Sequence, residues 1–207
     1  MTPEYICKVD KEGKVIDNAY SISWSSDGDV HKAVVTFHKN AIYEWSFQYT
    51  NDADNELESI TTGDSVAPFK FILDNTPPEG TVTVNENSWN RLLKFLTFGL
   101  YSKTKADISV TATDNISPIV VEYYMTSNPV AMSAAELDNV TFTAYEDFSV
   151  SADEQFVIYL KITDYAGNYT YISSDGYIVD KAASTITLTP SSANGFYNAD
   201  ANANGEY

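Results

Sequence analysis

The sequence FVIYLKITDYAGNYTYISSDGYIVD, residues 156–180, contains most of the information about the fold. Phe156, Ile158, Leu160 and Ile162 occupy alternate positions, and a period of two predicts a strand with one face in a core. The segment 164–168, DYAGN, contains Asp, Gly and Asn, which favour a tight turn. Residues 171–179 predict a returning strand. The stretch therefore predicts a hairpin that closes a β-rich unit.

The composition excludes several classes of partner. The chain has 207 residues, 12 Lys and Arg against 29 Asp and Glu, and a net charge of −17. Phosphate recognition needs clustered cations, so no nucleic-acid partner is expected. The longest apolar run is far short of the roughly 20 residues that cross a bilayer, so no membrane insertion is expected. Cys7 is the one cysteine, which rules out a disulfide within the chain.

Linker-like segments divide the chain into repeated units. DNTPPEG at 74–80 contains two consecutive prolines, which stiffen the backbone into an extended form. KAAS at 181–184 follows the second unit, and TITL at 185–188 repeats the pattern of TVTV at 81–84. Three units are predicted. They are 1–76, which is expected to lack its first strands, 77–181, and 182–207 as the start of a third repeat or a frayed tail.

Short strands separated by turns predict an all-β chain of tandem Ig-like antiparallel β-sandwiches, the second with a short helix. The helix is placed at 88–98, where the spacing of four apolar residues matches one helical face: Trp89, Leu92, Leu93 and Leu96. A second short helical turn is predicted at 132–137, because Ser133 and Glu136 have capping-box spacing.

No catalytic residues are predicted, and we expect a protein that is not an enzyme. The two histidines, His31 and His38, have no nucleophile motif beside them. No cofactor is predicted, and calcium is the one metal worth testing. Four aspartates at strand ends are its candidate ligands: Asp74, Asp114, Asp164 and Asp180. The alternative is that each caps its own turn through the backbone, as turn aspartates commonly do.

Tyrosine is abundant, with 15 residues, and exposed tyrosines make good contacts for proteins and sugars. Five are out of phase with the predicted core and are the candidate binding residues: Tyr124, Tyr159, Tyr165, Tyr169 and Tyr171. The alternative is that they form ordinary cross-strand aromatic pairs.

Several motifs resemble bacterial Ig-like repeats, which occur in tandem in large cell-wall proteins of Gram-positive bacteria. They are WNRLLKFLTFG at 89–99, VTATD at 110–114, ITDYAGN at 162–168 and DGYIVD at 175–180. SWSSDGD at 23–29 and YTNDADN at 49–55 are similar to a companion repeat type, and ITLTPSSANGFYN at 186–198 resembles the opening of another. The resemblance implies Ig-like architecture and a secreted, cell-wall location.

The resemblance also implies a non-enzymatic adhesion module whose partners are a host protein or glycan and the neighbouring repeats of the same chain. Two alternatives stay open. Some gut-bacterial proteins with such repeats bind immunoglobulin variable domains as superantigens, through the strand-F/G sheet or residues 89–99 in this chain. Accessory domains of a secreted carbohydrate-active enzyme are the third hypothesis.

Overall fold

Alternating apolar residues produce strands throughout the part of the chain that the structure describes. The structure is a computed structural model, and it describes residues 18–28, 30–43, 46–47, 60–61, 71–190 and 203–206. These residues are mostly β, in several largely antiparallel sheets, with one short helix. Whether the units are tandem Ig-like repeats stays a prediction.

Among the described residues before position 74, the strands form three separate pairs. Their six strands are β1 (Tyr20–Asp27), β2 (Val30–Phe37), β3 (Ala41–Tyr43), β4 (Ser46–Phe47), β5 (Ile60–Thr61) and β6 (Phe71–Leu73). β1 pairs with β2, β3 with β6, and β4 with β5, all antiparallel. Ala19, Ala41 and Tyr43 are buried, and Phe37 and Phe71 pack on Tyr43. The YTNDADN motif at 49–55 lies outside the described residues.

Residues 79–180, called here the two-sheet unit, contain ten strands and the helix. The strands are β7 (Glu79–Val84), β8 (Asn87–Trp89), β9 (Leu100–Ser102), β10 (Ala106–Thr113), β11 (Ile119–Thr126), β12 (Thr143–Ala144), β13 (Phe148–Val150), β14 (Glu154–Asp164), β15 (Tyr169–Ser173) and β16 (Tyr177–Val179). One sheet has the order β13-β10-β7-β8. The other has the order β12-β11-β14-β16-β9, with β15 also paired to β14.

Both sheets contribute to one buried apolar cluster. Val82 and Ile108 come from the first sheet, while Phe156, Ile158 and Leu160 come from β14 in the second. β14 is the longest strand, and it pairs with β15 at one end and β16 at the other. Between those partners, Ser174 Oγ accepts the Ile158 N–H at 2.9 Å, which keeps the interrupted ladder hydrogen-bonded. The hairpin predicted over 156–180 is therefore present, with its return strand split in two.

The prediction of a helix at 88–98 is wrong. Residues 87–89 are strand β8, joined to β7 by a two-residue turn, and Val82 lies opposite Trp89. Residues 90–98 are irregular, because their backbone N–H groups bond to other parts of the unit: Leu93 N to Ser173 Oγ at 3.0 Å and Thr97 N to Asp175 Oδ1 at 2.7 Å. The apolar spacing reflects burial of Leu92 and Leu96 rather than helical periodicity.

The helix lies instead at α1 (Ala134–Leu137), where the predicted capping box is confirmed. Ser133 is the N-cap, its N–H donates to Glu136 Oε2 at 2.8 Å, and Leu137 is buried. α1 and segment 90–98 help to cover the outer face of β14 and β15. That face forms a second apolar cluster with Val157, Tyr159 and Tyr171.

Two further strands follow the two-sheet unit, β17 (Thr187–Pro190) and β18 (Ala203–Glu206), which pair antiparallel. Part of the stretch predicted as a new repeat or frayed tail is thus a strand pair, and residues 191–202 lie outside the described part. No helix in the described residues is long and apolar enough to cross a membrane.

Candidate functional site

Three of the four predicted aspartates come together at one end of the two-sheet unit. Asp74 directly follows β6, Asp114 directly follows β10, and Asp164 is the last residue of β14. One carboxylate oxygen of each lies within 4.8 Å of the others. They are separated by up to 90 positions in sequence, so strand pairing brings them together. We call these residues the aspartate cluster.

Asp74 is 5% exposed, and donors on both sides hold it. Its Oδ1 accepts from the Asn40 side chain at 3.2 Å and from Thr76 N at 3.1 Å. Its Oδ2 accepts from the Ser117 hydroxyl, and its backbone carbonyl accepts from Asn168 Nδ2 at 3.0 Å. Asp74 therefore connects the preceding strand pairs to two loops of the two-sheet unit.

Asp164 is 4% exposed, and the turn predicted at 164–168 surrounds it. Asn168 donates from its backbone N at 2.8 Å to Oδ1 and from its side chain at 2.7 Å to Oδ2. Gly167 has φ of +96°, the left-handed conformation that glycine adopts without strain. Burial alone would raise the pKa of Asp164, but hydrogen bonds from Asn168, Gly167 and Ala166 outweigh it and hold the pKa below its ordinary value.

Asp114 completes the cluster from the turn after β10. Its Oδ1 accepts from Ile116 N at 2.8 Å and Ser117 N at 2.7 Å. Asp74, Asp114 and Asp164 thus all accept a backbone N–H two to four residues ahead, which is the turn-capping role given as the alternative to metal binding.

The same cluster could also hold a hard cation. Calcium takes oxygen ligands at about 2.3–2.6 Å, so two ligands on opposite sides of it stand about 5 Å apart. The 4.8 Å limit on the separations within the cluster fits that distance. Three carboxylates would supply part of the six to eight ligands that calcium takes, and carbonyl groups or water would supply the rest.

Asp180 is not part of this cluster, contrary to its place among the calcium candidates. It follows β16, whose Val179 pairs with Glu154 at the start of β14, whereas Asp164 ends that strand. Ten residues of a strand span about 33 Å. Because β14 and β16 are antiparallel, the two aspartates lie at opposite ends of the unit. Asp180 is exposed and accepts from Ala182 N at 3.0 Å.

The five candidate tyrosines differ widely in accessibility. Tyr165 is 75% exposed and Tyr169 is 46% exposed, as an outward position requires. The expectation that Tyr159 and Tyr171 face solvent is wrong. Tyr159 is fully buried, and its hydroxyl accepts from Met132 N at 3.0 Å. Tyr171 is 7% exposed, and its hydroxyl donates to Asp138 at 2.8 Å.

The physical reason is that a third layer covers the outer face of β14 and β15. Segment 90–98, α1 and residues 140–142 supply apolar side chains to it, including Leu96, Leu137 and Phe142. Burial is the main cause that raises the pKa of Tyr159. Burial is also the main cause that raises the pKa of Tyr171, and the hydrogen bond to Asp138 raises that pKa further. Tyr124 is half-buried in the same layer, against the Tyr159 and Phe142 rings.

A serine and a histidine meet on β1 and just after β2. Ser21 Oγ lies 2.8 Å from His38 Nε2, and both side chains are exposed. A hydrolytic triad needs a carboxylate to orient the imidazole. In the described residues no carboxylate is hydrogen-bonded to His38, so this contact is a surface hydrogen bond. The side chain of His31 lies outside the described part.

Comparison of the chain with profiles of protein families, with curated proteins and with solved structures gave no match. The resemblance to bacterial Ig-like repeats therefore stays a prediction that rests on the motifs themselves.

Proposed function

We propose that this chain is a non-enzymatic binding and adhesion module of Ig-like β-sandwich units, carried in tandem on the cell wall of a Gram-positive bacterium. It presents its outer surfaces to a host protein or glycan. The two sheets that share one apolar cluster in residues 79–180 support the sandwich architecture. The net charge of −17 favours solubility at an exposed location.

The observation that carries this proposal is the tight junction between β6 and β7. Residues 75–78 contain two prolines, and both ends of the segment are hydrogen-bonded. Thr170 Oγ1 donates to the Pro78 carbonyl at 2.6 Å, and Asn168 donates to the Asp74 carbonyl. On the preceding side, Asn40 donates to the Thr76 hydroxyl at 2.5 Å. A linker held in this way sets the direction in which successive units point, as a surface stalk requires.

The function is tested by presenting the whole chain, immobilised on beads, to arrays of host extracellular proteins and glycans and to human serum. We expect saturable binding to one class of host molecule. Retention of immunoglobulin through its variable domains would identify the superantigen-like alternative. No binding to any array, together with a catalytic domain in the parent reading frame, would contradict the proposal in favour of an accessory enzyme domain.

A further inference from the structure

Segment 90–98 is fixed to the two-sheet unit, yet part of it faces solvent. Ser173, the last residue of β15, donates from its N to the Arg91 carbonyl at 3.1 Å and accepts from Leu93 N at its hydroxyl. Thr97 N donates to the Asp175 side chain, which follows β15. At the far end, the Phe98 ring packs on Gly176, where a Cβ would lie 2.4 Å from the ring. The backbone conformation is thus set before any partner arrives, which lowers the entropy cost of binding.

An apolar groove runs beside this segment. It has a volume of about 460 Å³ and lies between 92–94 and 131–134, with Leu92, Leu93 and Met132 in its lining. The residues next to the lining in sequence are Phe95, 84% exposed, and Val130, 66% exposed. An aromatic side chain held out on a fixed backbone is the type of residue that dominates binding energy in interfaces.

Segment 90–98 contains two cations, Arg91 and Lys94, and no acid, although the whole chain is acidic. Among the described residues Lys105 pairs with Asp107, whereas neither Arg91 nor Lys94 is in an ion pair. Arg91 and Lys94 are exposed and flank the groove-lining leucines. At physiological salt, charges are screened beyond about 8 Å, so a partner at the groove experiences these cations more than the distant acids.

Two acids of the unit, Glu136 and Asp175, accept hydrogen bonds from other groups. Glu136 accepts from Ser133 in the capping box, and Asp175 accepts from Thr97 and from its own turn. Among the described residues neither acid forms an ion pair with Arg91 or Lys94, so these two cations are complementary to acids on a partner. A purely anionic glycan would use the cations but leave the apolar groove and Phe95 without a role.

From these observations we propose that the groove between 92–94 and 131–134 binds an extended protein segment in which an apolar side chain is flanked by Asp or Glu. The apolar side chain enters the groove against Phe95, and the flanking carboxylates pair with Arg91 and Lys94. This deepens the proposed function by stating the chemistry of the host partner and the surface that contacts it.

The probe is a displayed library of random dodecapeptides, selected on the full chain and then titrated individually. We expect the selected peptides to carry a large apolar residue between acids. Phe95→Ala and Lys94→Glu should each weaken their binding about ten-fold or more, as truncation of an interface hot spot does. Trp24→Ala and Lys32→Glu are the matched controls, since they remove an exposed aromatic and reverse an exposed cation on the separate β1–β2 pair. Both should leave the affinity unchanged.

Unchanged thermal midpoints for Phe95→Ala and Lys94→Glu would show that neither variant loses its fold. Peptides without acids, peptides that bind Phe95→Ala as well as the parent, or no enrichment at all would overturn the proposal. Binding of heparin that depends on Lys94 but not on Phe95 would assign the surface to a glycan and overturn it too. If host molecules still bind the Phe95→Ala variant, the adhesion function stands and only this surface is wrong.

Discussion

Asp74 and Asp180 stand at two junctions that look alike in sequence and differ in three dimensions. Each follows a short strand, β6 or β16, and each Oδ1 accepts an N–H from two residues ahead. At the first junction, side chains of the following unit also hold Asp74, which is 5% exposed. At the second junction Asp180 is exposed.

The contacts after β16 return to the preceding unit instead. Asp180 N donates to the Ser102 carbonyl at 2.9 Å, and Lys181 N donates to Asp153 at 2.6 Å. Residues 181–187 are exposed. The turn after a strand therefore forms from residues close in sequence, whereas a tight junction needs partners from a following unit, such as Ser117 and Asn168.

The largest effect is expected from Gly80→Val, immediately after the first junction. A Cβ at Gly80 would lie 2.3 Å from Ile162 Cδ1 and 2.9 Å from the Thr111 carbonyl, so β7 would have to move away from β10 and β14. We expect the free energy of unfolding to fall by about 3 kcal/mol. The measurement is urea unfolding of the whole chain, followed by fluorescence.

Ala183→Val, on the exposed segment of the second junction, is the control and should change stability by less than about 0.5 kcal/mol. Equal stability of Gly80→Val and the parent would mean that β7 does not pack as closely as described.

Asn168→Ala should have the next largest effect. It removes the donor that joins the Asp164 carboxylate to the Asp74 carbonyl, and hydrogen bonds to charged groups contribute about 1.5–3 kcal/mol. We expect the free energy of unfolding to fall by about 2 kcal/mol. In small-angle X-ray scattering we expect a broader distribution of maximum dimensions. Asp180→Ala should change neither, because Asp180 is exposed. If Asn168→Ala and Asp180→Ala lowered the free energy of unfolding by similar amounts, the two junctions would not differ as described.

Acid should weaken the first junction through Asp164. Because the folded-state pKa is lowered below the ordinary 3.8, the carboxylate stabilises the fold above that value. This contribution is lost as pH falls through the lowered pKa, so the window lies below about pH 4. The acids that face Asp164 in the cluster are Asp74 and Asp114.

We therefore expect Asp164→Asn to be less stable than the parent at pH 7, with the difference narrowing at pH 3. Thermal midpoints of both proteins at the two values measure this. A constant difference would show that ionised Asp164 does not contribute.

The smallest effect is expected from calcium. The hydrogen bonds to the cluster already satisfy Asp74 and Asp164, so we expect the same thermal midpoint in calcium and in chelator. A thermal midpoint that is higher in calcium for the parent and for Asp180→Asn, but not for Asp114→Asn, would contradict this expectation. It would establish a metal site at the first junction only, since a ligand of the folded state raises its stability.

Local patterns predicted the strands and turns well, and they failed where burial came from a third layer. The alternation of Phe156, Ile158 and Leu160 describes one face of β14 correctly. The same alternation predicts that Tyr159, on the opposite face, is exposed, whereas α1 and segment 90–98 bury that face. The spacing of Leu92 and Leu96 indicates one buried side but does not distinguish a helix from an irregular segment that packs along a sheet.

The sequence contains one signal that is compatible with an outward Phe95, although it does not establish the exposure. Phe95 stands between Lys94 and Leu96 and falls outside the apolar spacing of the predicted helix face. Its exposure follows only from the hydrogen bonds that fix Leu93 and Thr97 on either side.

Local sequence patterns predict the β-rich class, the capping box of α1 and the turn at 164–168, because each depends on side chains a few residues apart. The same patterns leave both turn capping and calcium binding open for the strand-end aspartates. The tertiary structure alone decided that Asp74, Asp114 and Asp164 meet while Asp180 does not, and that Tyr159 is buried while Phe95 is exposed. Strand direction and layer order bring together residues that are far apart in the chain, and no local pattern contains that information.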